Sequence, residues 1–350
     1  TGLDASFLKG KLRFTVDVYQ KYIKDLLQKK VKMPTSIGYG NGYEVSYMNS
    51  GKMTNKGWEF RVDAVPFENR DWRVGFYFNI AHNENKITEM PDNYTEENYT
   101  FNNGEYAYRR EEGRPMGSFY GYRYKGVCQN KDATYARDAD GNVMKDISGN
   151  AIVMRNGTAT IAPGDALYED INHDGVINQY DIVYLGNSNP RFTGGAGVNV
   201  SYKQFKLSAI FYGRYGQDVV NSTRLNNESM RGIDNQSTAV LRRWRNEGDQ
   251  TDIPRALYGE EYNTLGSDRF VEDASYLRLK SLSFNYRLPK KIIQRWGFCN
   301  IDVYVTGYNL FTWTKYTGQD PEVKTENTYA RDSATTPASI QLVAGFNLSF

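Results

Sequence analysis

The stretch Ser339 to Phe350, SIQLVAGFNLSF, limits the fold more than any other part of the chain. Ile340, Leu342, Ala344, Phe346, Leu348 and Phe350 hold its even positions. Ser339, Gln341, Val343, Gly345, Asn347 and Ser349 hold the odd ones. Alternation with a period of two sends the two sets to opposite faces of a strand. One such strand fits a soluble sandwich as well as a membrane barrel, whose apolar face meets lipid while its polar face meets a wet lumen. The choice turns on how often the pattern recurs and on what joins the repeats.

It recurs throughout. Leu12, Phe14, Val16 and Val18 alternate with Arg13, Thr15, Asp17 and Tyr19. Trp58, Phe60, Val62 and Ala64 alternate with the charged Glu59, Arg61 and Asp63, which would line a lumen together with Asp17. Further strands follow from Trp72, Phe192, Phe205, Leu277 and Ile301. In the strand from Leu277 the apolar phase slips by one residue near Lys280 and Ser281, which predicts a β-bulge. The connections alternate too: short at Lys9-Gly10, at ENRD, at Lys203-Gln204 and at PKKIIQRWGF; long after Tyr22, over about 86–190, over about 221–273 and over about 315–337. Short periplasmic turns and long extracellular loops are the plan of outer-membrane barrels. The expected fold class is therefore all-β, an antiparallel transmembrane β-barrel with long extracellular loops.

The same alternation assigns SFYGYRYKGV, Ser118 to Val127, to the extracellular loop at about 86–190. Counted as a span, it would put two long loops side by side. A short helix is expected in STAVLRRWRNE, with Ser237 as its N-cap. About nine strands result, whereas bacterial single-chain barrels have even numbers. The opening TGLDASFL also reads as the tail of a strand. Both features predict that residues 1–350 are the C-terminal part of a larger plugged barrel.

Composition excludes some classes. With 43 Lys plus Arg against 41 Asp plus Glu, the chain lacks the basic excess of a nucleic-acid binder. No run approaches 18 apolar residues, so no transmembrane helix is expected. Cys128 and Cys299 have unrelated contexts, and His82 and His173 lie far apart with no nucleophile placed beside them. No enzyme is predicted. The 28 Tyr and 32 Gly suit barrel strands and a soluble carbohydrate-binding β protein alike.

The sharpest local motif runs from Asp170 to Asp181, DINHDGVINQYD. Side chains at positions one, three and five around a glycine at six converge on one point, as calcium with its hard oxygen ligands requires. Asp170, Asn172 and Asp174 would supply side-chain oxygens, Val176 its carbonyl, and Asp181 the closing carboxylate. The plain alternative is an Asx-rich turn whose carboxylates accept backbone N–H groups. In either case the motif would pin a loop, and His173 falls at a non-ligand position. Tyr120, Tyr122 and Tyr124 would form either a sugar-stacking ladder or packing beneath the loop. Arg242, Arg243, Trp244 and Arg245 would form either a partner contact or a solvated face.

Four ordered blocks carry a family resemblance: NKGWEF (Asn55 to Phe60), NPRFTGGAGVNVSYKQFKLSAIFYGRYGQDVVNSTR (Asn189 to Arg224), FVEDASYLRLKSLSFNYRLP (Phe270 to Pro289) and NLFTWTKYTGQDPE (Asn309 to Glu322). With the terminal Phe350 they resemble the SusC/RagA family of TonB-linked outer-membrane proteins. The resemblance implies a protein of the outer membrane of a Gram-negative bacterium, surrounded by lipid. It implies active import of oligosaccharides or peptides beneath a lid formed by a SusD-like lipoprotein. The plug and the TonB-contacting segment of that family have no counterpart in these residues, so contact with TonB would run through an N-terminal part. The competing functions are a soluble, calcium-stabilised glycan-binding β protein and a passive porin.

Overall fold

The computed structural model describes residues 1–32, 44–49, 51–90, 106, 111–293, 295, 297–323, 325–326 and 329–350. Nine strands make one antiparallel sheet, each paired with its neighbours in chain order. They are β1 (Gly2–Phe7), β2 (Leu12–Ile23), β3 (Lys52–Glu68), β4 (Trp72–Glu89), β5 (Phe192–Tyr202), β6 (Phe205–Tyr215), β7 (Tyr276–Arg287), β8 (Asn300–Thr314) and β9 (Gln341–Ser349). Such an up-and-down meander is the wall of a barrel. The strands reach further than their apolar cores: β4 continues through Ile87 to Glu89, so the following excursion starts later than expected.

Register aligns the apolar set across the sheet. Val16 pairs with Phe60, Phe60 with Ile80, Ile80 with Gly194 and Gly194 with Gly213. Farther along, Leu207 pairs with Phe284, Phe284 with Val305 and Val305 with Ala344. A slip of one residue would move a whole strand's apolar set to the wrong face. At Lys280 the sheet accommodates the slip seen in the sequence. Leu279 and Ser281 flank a break in pairing with both β6 and β8, which is the expected bulge.

The apolar face is open: Phe346 is 67% exposed and Leu342 75%. Aqueous exposure of so large an apolar surface is rare in soluble monomers. Aromatic rings gather near both ends of this face. Trp58, His82 and Phe192 cluster at the long-loop end. Trp72 with Tyr202, and Phe205 with Tyr286, lie toward the short-turn end. Between them β5 rises about 3.3 Å per residue, so its eleven residues, at the usual barrel tilt, span the apolar band of about 25 Å. The soluble-protein alternative does not account for this face.

The opposite face is polar and braced by tyrosine. Tyr19 pairs with Gly57, Tyr77 with Gly197 and Tyr304 with Gly345 across neighbouring strands. A Cβ on any of these glycines would overlap its partner's ring. Each ring therefore lies flat over bare backbone, replacing the packing a strand glycine lacks. Asp17 pairs with Glu59, and Arg61 bonds Asp63 at 2.8 Å on the same face, so the predicted lumen-facing charges share it.

The turns are tight at one end. Lys203, at φ 51°, opens the two-residue hairpin between β5 and β6. Positive φ is what such a hairpin turn needs. Most of the ordered loop mass lies at the other end. The loop after β2 contains a ribbon of strands Leu27–Lys32 and Glu44–Asn49, and residues 33–43 of it lie outside the described residues.

If β9 turns its even positions outward, Phe346→Lys in the full-length protein should impair membrane assembly. A cation at the middle of the lipid face costs about 2–4 kcal/mol. Asn347→Lys should be much milder, because Asn347 faces Asp302 across the pair. Heat-modifiable gel mobility of the membrane fraction checks this. Greater damage from Asn347→Lys would reverse the faces.

Candidate functional site

At the long-loop end the connections pack into a small cap with its own apolar core. Tyr122, Cys128, Ala136, Met154, Ile161, Ala166, Tyr168, Ile177, Tyr262 and Leu265 form its largest cluster. SFYGYRYKGV sits here, outside the nine-stranded sheet. Ser118–Gly121 pairs with Val183–Asn187, and Tyr124–Val127 with Ala166–Tyr168. The next loop is stitched to this stretch: Tyr122 N–H donates to the Gly266 carbonyl, and Asp268 N–H to the Tyr122 carbonyl. Burial pushes the Cys128 thiol up to about 12, and the nearby Asp165 adds to the rise.

This stitching decides where the three tyrosines lie. Tyr120 is fully buried, gives its hydroxyl to Glu111 at 2.7 Å and meets Tyr184 edge-on. Tyr122 is 4% exposed and packs against Tyr168. Tyr124 donates to the Asp252 carbonyl and lies beneath the Arg269 guanidinium. Tyr120 and Tyr122 are thus packed beneath the loop, and Tyr124 is half-buried beside them.

Buried ion pairs hold the loops together. Arg269 and Glu228, 5% and 7% exposed, meet at 2.9 Å. Arg224 bridges Glu228 and Glu272, and Glu272 accepts from Thr317 in the last long loop. Asp165 takes Arg255 in a two-pronged contact at 2.7 and 3.2 Å. On the polar face of β7, Arg278 is 3% exposed and reaches Asp320 at 2.5 Å and Glu322 at 2.8 Å, with Lys280 also on Glu322. Burial raises the Asp320 carboxyl, but N–H donors from Ala338 and Glu322 and the Arg278 guanidinium outweigh it and hold it below the ordinary range. Removing one partner of the Arg269–Glu228 pair, buried on both sides, should cost about 3–5 kcal/mol, because the other charge stays behind; the partly exposed pairs cost less. These pairs fold the last long loop back against the sheet's polar face.

The motif from Asp170 to Asp181 forms one tight turn. Asp170 accepts N–H groups from Asp174 at 3.2 Å and Gly175 at 2.8 Å. Asp174 accepts from Val176, and the Asn172 amide donates to Asp174 at 2.9 Å. Asp181, fully buried, accepts from Ile171 and Asn178, both at 2.8 Å, while the Val176 carbonyl takes the Asn178 amide. Burial raises the Asp181 carboxyl; its two N–H donors oppose the rise, and the charges of Asp170 and Asp174 add to it. Among the described residues no group of three or more His, Cys, Asp or Glu side chains is gathered tightly enough to hold a metal. The donors are hard oxygens on one turn, and backbone N–H groups occupy the carboxylates. His173 is exposed, with Nδ1 3.0 Å from the Arg137 carbonyl, apart from the donor set.

Ser237 does cap a helix, accepting from Ala239 N–H, but it is a short 3-10 turn, Thr238–Arg242. The chain leaves the helix at Arg243, at ψ 153°, after which the Trp244 ring lies on Gly164 and its backbone N–H donates to the Ile253 carbonyl. Trp244 is thus packed, whereas Arg242 and Arg245 are exposed. The buried ion pairs escaped sequence reasoning altogether. Most of their partners lie far apart in the chain, and the only trace was that Arg224, Glu272, Arg278, Asp320 and Glu322 stand in three of the family-like blocks.

No family model matches the chain. TonB-dependent receptor P3 of Formosa agariphila is 32% identical over 336 residues, which are 93% of this chain and 30% of that protein. TonB-dependent receptor SusC of Bacteroides thetaiotaomicron is 25% identical across 100% of this chain and 31% of its own length. The solved RagAB peptide transporter superposes on 100% of this chain and 34% of its own, with a TM-score of 0.74 and 26% identity. The chain belongs to the SusC/RagA-type TonB-dependent receptors. It spans about a third of the length of the curated relatives it matches. Its place is the outer membrane, so the capped end is the extracellular one by the loop rule for such barrels. The relatives are receptors and transporters by name, and none is named as an enzyme.

Proposed function

We propose that this chain is part of the wall and extracellular mouth of an importer that carries oligosaccharides or peptides across the outer membrane. The observation that carries the proposal is a membrane-spanning sheet with one lipid face and one wet, polar face, matched along its whole length to TonB-dependent receptors. Transport under this reading is driven through TonB by a segment outside the chain, and the protein acts as no enzyme. A SusD-like lipoprotein closes the mouth. Supporting this, Ile233, Leu241 and Tyr258 are 92%, 65% and 79% exposed on the loop that carries the buried Met230, Val240 and Ile253 cluster. Apolar tips over a packed base suit a partner's surface.

Uptake of labelled oligosaccharide and peptide mixtures into cells carrying the full-length protein tests the reading. Import should stop when TonB or the neighbouring lipoprotein is deleted. Import that continues without TonB would indicate a passive porin.

Calcium at Asp170, Asn172, Asp174, Asp181 and the Val176 carbonyl is a second part of the proposal. Supporting it is the mutual repulsion of Asp170, Asp174 and Asp181 within one turn, which a divalent cation would relieve. Bound there, calcium would pin the loop, and magnesium would compete poorly because it demands small octahedral geometry. Protease sensitivity of the loop should rise with chelator and in Asp174→Ala, while the barrel stays intact. Equal cleavage in all conditions would leave a plain Asx turn.

A further inference from the structure

Toward its extracellular end the lipid face carries an apolar groove of about 670 Å³ between β4 and β8. Its floor is nearly bare backbone. Gly194 and Gly213 face each other across β5 and β6, and Ala196 lies beside Phe211 in the same pairing. Phe78 and Ile80 on β4 form one wall. Phe211, Leu277 and Trp313 form the other. Tyr215 and Phe192 close over the floor at the top, their rings 6.4 Å apart. The exposed Lys315, just past the end of β8 at Thr314, stands at the rim, where Arg214 and Asp273 also line the groove.

We propose that this groove binds an acyl chain of a phosphorylated glycolipid of the outer leaflet, with Lys315 meeting an anionic headgroup phosphate. Three observations select this occupant. The groove is continuous with the membrane-facing surface, so hydrocarbon fills it. It lies at the extracellular end, where only outer-leaflet lipid reaches. Its rim carries a cation at the level of the aromatic residues, where headgroups sit. Farther down the face, as at Val303 with Phe346, side chains stand on neighbouring strands, and lipid there meets a ridged wall. An enclosed chain contacts protein on several sides at once and exchanges more slowly than lipid on that wall. The inference rests on the membrane placement of the sheet and is independent of the cargo.

The test uses the full-length transporter purified in mild detergent. Native mass spectrometry should find retained phosphorylated glycolipid on the wild type. Ala196→Trp fills the groove with apolar bulk and should remove that lipid, whereas Val200→Trp, farther down the same strand, should leave it. Lys315→Glu should weaken retention. A second measurement needs no variant: lipid A with a diazirine in one acyl chain should label Phe211, Leu277 or Trp313 in preference to Val303 and Phe346. Equal retention in Ala196→Trp and wild type, retention of inner-leaflet phospholipid instead, or labelling spread evenly over the face would each overturn the proposal. Uptake driven by TonB would stand in any of these cases.

Discussion

In hydrocarbon no water is at hand for a backbone N–H or carbonyl, so each must find its partner inside the sheet. That requirement governs everything else in this chain. It makes every strand antiparallel to its chain neighbours and joins them by short turns on one side. It also fixes the register, because outward residues that meet lipid must stay in phase across all nine strands. Where a strand breaks phase, as at Lys280, the slip is absorbed by a bulge, here one that interrupts both neighbouring pairings; the β3–β4 pairing shifts likewise after Lys52 and after Ala64. Tyrosine and glycine then solve a local problem on the wet face. A glycine lets a neighbouring ring lie flat on the backbone, so the polar wall stays packed without apolar side chains.

The extracellular cap obeys different rules. Its loops have water available, and they are ordered by apolar clusters and by ion pairs buried beneath them. Arg269, Arg224 and Arg278 each connect segments that are distant in sequence, through Glu228, Glu272, Asp320 and Glu322. The result is a mouth whose loops are cross-tied to one another and to the barrel wall. Under the proposed function, a partner closing over such a mouth would find less ordering left to do on contact.

Much of this was legible in the sequence, for a physical reason. Period-two alternation and turn length are local properties, so the strands from Leu12 to Phe350, the phase slip at Lys280 and the placement of SFYGYRYKGV within a loop could all be read residue by residue. Ser237 was legible as a cap, yet the helix it starts is short, and Trp244 just beyond it packs on Gly164, a contact 80 residues away. The roles of Tyr120 and Tyr122 stayed open in the sequence for the same reason. Whether an aromatic residue faces solvent or a core depends on partners such as Tyr168 and Tyr184, which no spacing rule reveals. The turn at Asp170 was legible as a turn, and its N–H donors are those an Asx-rich loop would choose.

The central claim is that one face of this sheet meets lipid and the other meets water. A cysteine scan along β8, from Ile301 to Trp313 in the full-length protein embedded in membrane, tests it most directly. A water-soluble maleimide should label cysteines at Asp302 and Tyr304 and leave those at Val303 and Val305 unreacted. A lipid-confined reagent should show the reverse. Uniform labelling of both sets by the soluble reagent would contradict a membrane-spanning wall.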